Sequence, residues 1–350
     1  MLDYFRQKII DKQTRPLKIK TNNKFASNRF SHLNFMYKTY GKKNPNLFFY
    51  IIRRTPGGGF FSNLNFVIHN LLICEKLKMI PIIDMENYKT IYNCKKKINK
   101  SFNAWDYFFY KISKYSLKEV YQSKNIIICD NRTSLNGTSS QSHSTKFKFF
   151  NSFNFLTKKH YRIFKKYVRI KKSLLIEADK FVKKNFKGKK VLGIHYRGTD
   201  MKKAPYHPYP PTDKQMLKIT KNLLEKYKFD KIYLCTEDIN NLEFYKKNFN
   251  KILTFSNNPR VGDKKDLFDS DDDMHRYKIG KGNIIDMLIL SKTDHLLYSF
   301  SNIPEAAIFY SNKKKFPTTI IDNGLSRGLF LSQFSFNLKK NLPSFLGGFK

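Results

Sequence analysis

The chain has 350 residues, 41% of them hydrophobic, with 33 Phe and 21 Tyr, and a formal net charge of +40 at pH 7. That apolar content excludes a disordered chain and suffices for two domains with cores of their own. The charge attracts nucleic acid, anionic membrane or phosphorylated substrates. The basic residues are spread along the chain, however, with no zinc-finger spacing and no RNP1-like aromatic motif, so they do not by themselves describe a nucleic-acid-binding module.

Up to about residue 45 the sequence is polar, basic and irregular. "LFFYIIRR" (Leu47–Arg54) then reads as a buried strand, followed by the glycine-rich loop "TPGGGFFSN". Ser62 is the expected N-cap of a helix whose Leu64, Val67, Ile68, Leu71 and Leu72 share one side. "MIPIID" (Met79–Asp84) completes a βαβ unit. Asn103–Ile112 is aromatic and reads as helical, Asn125–Asp130 as a strand, and Asn136–Ser144 as a loop. One long basic amphipathic helix is expected over about Thr157–Asn185.

The second half keeps a cleaner rhythm. Strand "KVLGIHYRG" leads through the proline-rich "APYHPYPPT" to a helix over Asp213–Tyr227. Strand "KIYLCTED", helix "NNLEFYKKNF" and strand "KILTFS" follow, then an acidic, glycine-containing loop over about Asn257–Gly282. Helix "NIIDMLILSKT", strand "DHLLYSFS", helix "PEAAIFYS" and strand "TTIID" complete the series. Alternation of this kind predicts an α/β protein with doubly wound parallel sheets. Residues 1–165 are read as an N-terminal Rossmann-like domain and 166–335 as a C-terminal one. A tail, 336–350, belongs to a stretch from Ser326 that is expected to cross back onto the first domain.

Cys74, Cys94, Cys129 and Cys235 form no CxxC pair; three lie in apolar or strand-like surroundings and read as buried free thiols, which fits a reducing compartment. The segment "MLDYFRQKII" lacks the apolar core of a signal peptide. No apolar run approaches the ~20 residues that span a bilayer. The expectation is a cytoplasmic protein able to lie against an anionic membrane surface.

Four constellations could carry chemistry. In "PGGGFFSN", Gly57, Gly58 and Gly59 let backbone approach a ligand, and Asn63 lies in the first turn of a helix whose free N–H groups attract anions; a tight βα turn explains the same residues. In "HYRGTD", His195, Arg197 and Asp200 cluster where a strand ends; an Arg there suits a diphosphate, and a surface ion pair is the alternative. Asp286 opens an apolar helix, and Ser299, Ser301 and Asn302 sit where the next strand turns into a helix, as phosphate ligands or as an N-cap. The acidic run "DSDDDMH" (Asp269–His275) contains D-x-D but reads as a solvated loop, so no metal is expected.

Together these segments resemble the α1,2/α1,6/protein O-fucosyltransferase superfamily, which includes the NodZ type. "GIHYRGTD" is similar to its His-x-Arg motif, "IYLCTEDINNLEFYKKNF" to its second motif and "IIDMLILSKTDHLLYSFSNIPEAAIFY" to its third. "PGGGFFSNLN" resembles its opening glycine segment, and the match runs over about Leu47–Asp322. The resemblance implies a GT-B fold, two Rossmann-like domains facing across a cleft, and inverting transfer of fucose from GDP-fucose without a metal. Arg197 would neutralise the β-phosphate, His195 would contact the donor, and Asp286 would recognise guanine. Ser299, Ser301 and Asn302 would line the nucleotide pocket, with Gly57–Gly59 approaching the diphosphate. Asp200, His207 and Glu237 are candidates for the general base. Where several α1,6 enzymes carry a second Arg, this chain has Gly198. The expected acceptor is a glycan of surface-polysaccharide synthesis or its lipid-linked precursor, with no nucleic acid as partner. A different nucleotide sugar on the same scaffold, or a basic nucleic-acid-binding protein, are the rival readings.

Overall fold

The computed structural model describes residues 36–54, 58–129, 151–198, 207–262, 267–311, 313, 315–324, 332–343 and 346–349. It forms two compact units. The first comprises Met1–Ser142, Phe153–Lys171 and Asp272–Gly280; the second comprises His143–Ser152, Lys172–Asp271 and Lys281–Lys350.

The first unit is built on β1 (Met36–Lys38), β2 (Lys43–Ile52), α1 (Phe60–Lys76), β3 (Ile80–Ile83), α2 (Ala104–Phe108), α3 (Leu117–Val120) and β4 (Ser123–Ile128), with most of α4 (Asn151–Tyr167). Its sheet runs β1-β4-β2-β3, with β2 parallel to both β3 and β4 and β1 antiparallel at the edge. The buried half of β2 shows the period of two that a strand imposes. Phe49 and Ile51 join Ile82, Val120, Ile126 and Ile128 in one core, whereas Tyr50, between them, donates its hydroxyl to Asn70 of α1 at 2.8 Å.

The second unit contains α5 (Lys172–Phe186), β5 (Val191–His195), α6 (Asp213–Tyr227), β6 (Lys231–Cys235), α7 (Ile239–Phe249), β7 (Leu253–Phe255), most of α8 (His275–Leu290), β8 (His295–Ser299), α9 (Asn302–Ser311), β9 (Thr318–Ile321) and α10 (Ser332–Asn341). The sheet is parallel throughout, in the order β7-β6-β5-β8-β9. From β5 the chain adds β6 and β7 on one side, then returns to lay β8 and β9 on the other. The reversal opens a crevice between the carboxyl ends of β5 and β8, the topological switch point where doubly wound sheets take ligands. Helix α6 starts at a capping box, with Gln215 N–H bonded to Thr212 Oγ1 at 3.3 Å and Thr212 N–H to Gln215 Oε1 at 3.0 Å. Met216 and Leu223 then pack against Leu192, Ile194, Ile232 and Leu234.

The α/β alternation and the parallel strands are as expected, but several elements differ. The helix expected over about Thr157–Asn185 is two helices. Between them Ile170 forms a β-bridge with Phe109, Tyr110 N–H bonds Arg169 C=O at 2.9 Å and Lys171 N–H bonds Phe108 C=O at 3.0 Å, so partners elsewhere in the chain pull this segment out of the helix. Helix α8 begins at His275, inside the stretch read as a loop through Gly282, so Asp286 lies in its fourth turn rather than at its start. The glycines that suggested a loop are instead points of close approach. A Cβ on Gly280 would collide with the Phe108 ring, and one on Gly282 would lie 2.6 Å from the Asn258 side chain. Gly59, not Ser62, caps α1. Asn103–Ile112 is helical only over α2. Phe336 and Phe349 of the terminal stretch close on Tyr209 in the second unit rather than on the first. The four cysteines are buried and free. Among the described residues, no helix is long and apolar enough to cross a membrane.

Candidate functional site

His195 is the last residue of β5, in register with Cys235 of β6 and Tyr298 of β8. Its side chain is fully buried, yet neither Nδ1 nor Nε2 has a hydrogen-bond partner. Burial, and then the Arg197 charge, push its pKa down to about 3, so the imidazole is neutral. Across the crevice, Ser301 is 8% exposed and its Oγ is also unpartnered, at the point where β8 gives way to α9. Glu305, in the first turn of α9, is 2% exposed and its Oε2 has no partner.

Buried polar atoms are normally satisfied, because an unmade hydrogen bond costs about 1–3 kcal/mol. Six buried side-chain atoms lack a partner among the described residues: Asn65 Oδ1, Arg260 Nε and the four on His195, Ser301 and Glu305. That four of the six flank one crevice, at a switch point, marks it as a place built to receive polar ligand atoms.

Arg197 follows two residues after the strand end. Its Nε lies 3.7 Å from Glu237 Oε1, and its side chain is 31% exposed against 18% for Glu237. Glu237 thus positions a guanidinium that still reaches solvent. Tyr196 takes the opposite role: it is 3% exposed, belongs to the core and donates to Asp213 Oδ1 at 2.5 Å. At Gly198 a Cβ would meet Asn241 Nδ2 at 3.2 Å and Asp238 Oδ2 at 3.5 Å. The position is buried beside α7, so a second Arg there would have to displace both side chains.

A further cation stands on the same edge of the sheet. In the loop after β7, Val261 N–H bonds Glu237 C=O at 2.9 Å and Ile239 N–H bonds Val261 C=O at 3.0 Å, which ties this loop to the end of β6. Arg260 beside it donates to Ser256 C=O at 2.7 Å and to Asn258 C=O at 3.1 Å. Asp286 is 6% exposed, and its carboxylate accepts from Tyr233 Oη at 2.6 Å, Ser256 Oγ at 2.6 Å and Cys235 Sγ at 3.3 Å. These internal donors tie α8 to β6 and to the loop after β7. Ser299 is 4% exposed at the end of β8, and Asn302 begins α9.

In the first unit the glycine loop follows β2 at the switch point between β2 and β4. Arg53, 4% exposed, donates from Nε to Cys129 C=O at 3.2 Å just past β4. Arg54 reaches into the first turn of α1, with Nε 3.3 Å from Asn63 Oδ1 and Nη2 3.3 Å from Ser62 Oγ. Asn63 Nδ2 in turn donates to Gly58 C=O at 3.1 Å. A Cβ on Gly58 would collide with the Asn63 carboxamide, so glycine is required there; Gly59 has open space beside it and caps α1 with no side-chain bond. The same unit holds an open cleft of about 630 Å³ whose lining includes Phe102, Trp105, Tyr110, Lys100, Lys111 and Lys171.

Gly57 and Asp200 lie outside the described residues. His207 is exposed. The acidic run is engaged in ion pairs: Asp272 with Lys278 at 2.6 Å and Asp273 with Lys96 at 3.0 Å. Among the described residues no three His, Cys, Asp or Glu side chains gather as a ligand set.

Reading by motif singled out His195, Arg197 and Ser301 but passed over Arg53, Arg54, Arg260 and Glu305. The arginine pair carried a usable signal, since it ends a buried strand just as Arg197 does. Glu305 carried a fainter one, as the sole charge in the otherwise uncharged "NIPEAAIFYS".

No family model and no curated protein matches the chain. Its structure is similar to that of the NodZ α-1,6-fucosyltransferase soaked with GDP-fucose, at 15% identity over 79% of this chain and 95% of that one, with a TM-score of 0.46. It is also similar to fucosyltransferase NodZ from Bradyrhizobium (15% identity, 75% and 92% covered, TM-score 0.43). A third similar structure is POFUT1 in complex with GDP-fucose (10% identity, 80% and 98% covered, TM-score 0.44). Likeness at this level assigns no activity.

Proposed function

We propose that the protein is a GT-B glycosyltransferase that transfers fucose from GDP-fucose, with inversion, to a hydroxyl of a glycan acceptor. The observation that carries the reading is the set of unpartnered buried groups on His195, Ser301 and Glu305 at the β5–β8 switch point, with Arg197 beside them. The order of the three sequence motifs supports the choice of donor, and all three contribute to this unit.

In this reading the diphosphate lies at the start of α9. There the helix N-terminus and the Ser301 hydroxyl supply hydrogen bonds to phosphate oxygens. Arg197, held by Glu237, neutralises the charge that grows on the leaving phosphate. Neutral His195 contributes one N–H donor and one acceptor. The acceptor hydroxyl attacks the anomeric carbon, its C–O bond forms as the bond to the diphosphate breaks, and the hydroxyl proton passes to a base. GDP and the fucosylated glycan are the products, and no metal takes part. The cleft lined by Phe102 and Tyr110 is our candidate for the acceptor side, where exposed aromatic faces and lysines suit a sugar chain with acidic or phosphate groups. The protein acts in the cytoplasm, on a glycan or lipid-linked glycan.

Titration calorimetry with GDP, and release of GDP from a panel of nucleotide sugars, test this. Arg197→Ala should weaken GDP binding roughly ten- to a hundred-fold, the loss of a charged hydrogen bond, and leave the unliganded melting temperature within a degree or two. GDP release from GDP-fucose should survive EDTA. Stabilisation by an RNA oligomer with none by GDP would overturn the reading, and release from another nucleotide sugar alone would replace the donor.

A further inference from the structure

Among the described residues, the buried acids are Asp84, Asp238, Asp286 and Glu305. Three of them are satisfied from within the protein. Asp84 accepts from the backbone of Glu86 and Asn87, from Asn87 Nδ2 and from Tyr121 Oη at 2.6 Å. Asp238 accepts from Asn240 N–H at 2.9 Å at the start of α7. Asp286 has its three side-chain donors. Glu305 alone keeps a buried carboxyl oxygen with no partner, and no ion pair to it is present. The only charge relation resolved around it is with Tyr298 of β8, whose pKa its proximity helps to raise after burial.

An acid buried without a cation stays protonated, since the charged form loses its hydration and gains nothing in exchange. Burial accordingly pushes Glu305 well above the usual carboxylate range. A protonated carboxyl differs from a carboxylate in kind, because it carries an O–H donor. Its place in the helix adds direction. Ser301 immediately precedes α9 and Glu305 lies in its first turn, so both belong to the helix start. The unpartnered Ser301 Oγ and Glu305 Oε2 thus both lie at the start of the helix, the end that attracts anions.

We propose that Glu305 is a ligand-binding residue that acts as a neutral acid, donating a hydrogen bond to a phosphate oxygen of the nucleoside diphosphate bound at the start of α9. The inference rests on the nucleotide reading above but adds a residue and a protonation state that it does not require. It also explains why an isolated buried acid is tolerated in the first turn of this helix: its hydrogen bond is kept for the ligand, and the unliganded protein bears the cost.

That cost makes the test specific. Glu305→Leu removes the buried polar group without a large change in volume, and Glu305→Gln keeps one donor and one acceptor in the same shape. Melting temperature without ligand and GDP affinity by calorimetry are measured for both. Glu305→Leu should melt a few degrees higher than the wild type, about 2–4 °C, and bind GDP at least ten-fold more weakly. Glu305→Gln should bind GDP within about three-fold of the wild type, since an amide N–H replaces the acid O–H. A purely structural residue would do the reverse, and Glu305→Leu that melts lower or fails to fold, or that binds GDP as the wild type does, overturns the proposal. Loss of GDP binding in Glu305→Gln as deep as in Glu305→Leu overturns the neutral acid. A wild-type protein that ignores GDP defeats the nucleotide reading instead. Inorganic pyrophosphate then serves as the probe of the same variants, and equal binding by all three ends the proposal.

Discussion

At His195 the surroundings, not the residue type, set the protonation state. Complete burial and the adjacent Arg197 guanidinium hold its pKa at about 3. It is therefore a neutral hydrogen-bonding group. The same depression has a stability consequence. With the folded value below the ordinary 6.5, the unfolded chain binds the proton first as pH falls. The stability that the neutral imidazole permits is complete above about pH 6.5 and declines as pH drops toward 3. Urea unfolding between pH 7 and 4 should show this decline, and His195→Leu should flatten it. An unchanged slope in the variant would mean that His195 is solvated in solution. Gly198 belongs to the same scale: Asn241 and Asp238 occupy the space that a second arginine would need, and the sheet edge draws its other cation, Arg260, from a neighbouring loop.

Between elements, α1 and α4 are joined by a pair of contacts with one shared pH response. His160 Nε2 lies 2.9 Å from His69 Nδ1, the rings nearly perpendicular at 89°. Burial and the neighbouring imidazole lower His69 to about 3. One turn and a half along α1, Glu75 accepts from Arg162 and from Lys166 at 2.8 Å, and these hydrogen bonds hold its carboxyl at about 2. Both groups have folded values below their unfolded ones, so both contributions are present at neutral pH. The Glu75 contribution begins to fade below about 4.5 and the His69 contribution below about 6.5. Hydrogen exchange of α1 amides should therefore accelerate between pH 6.5 and 4 after correction for the intrinsic rate, and His69→Gln should remove most of that acceleration. Equal acceleration in the variant would place its origin elsewhere. Ordinary packing dominates at the same helix: Leu71 is fully buried, and Leu71→Ala should cost about 2–5 kcal/mol in denaturant unfolding.

At the scale of the whole molecule the dominant quantity is the net charge of +40. Ion pairs cannot offset it, since 67 Lys and Arg face only 27 Asp and Glu, and acids such as Glu75, Asp272 and Asp273 are already engaged with Arg162, Lys166, Lys278 and Lys96. We expect this surface to bring the protein to anionic bilayers by long-range attraction rather than by insertion. In flotation, the protein should rise with vesicles containing phosphatidylserine and stay down with pure phosphatidylcholine, and about 0.5 M salt should release it, the Debye length then being only a few ångströms. Flotation that ignores salt, or none at all, would remove the membrane from the account.

Much of this protein is determined by local sequence. The βα alternation, the span of α6 and its capping box, and the polar run that ends β5 follow from periodicity and cap chemistry, which act between residues close in the chain. The candidate residues around Arg197 could be picked out for the same reason, since they adjoin a strand end. Tertiary structure decided what depends on distant partners. Phe109 and its neighbours break the helix expected over about Thr157–Asn185; Phe108 and Asn258 make helical glycines out of apparent loop residues. The order of the strands brings His195 and Ser301, more than a hundred residues apart, to the ends of two neighbouring strands. Glu305 is the clearest case. In the sequence it is an acid in a helical first turn, a common surface feature, and only burial without a partner makes it a group that a ligand must satisfy.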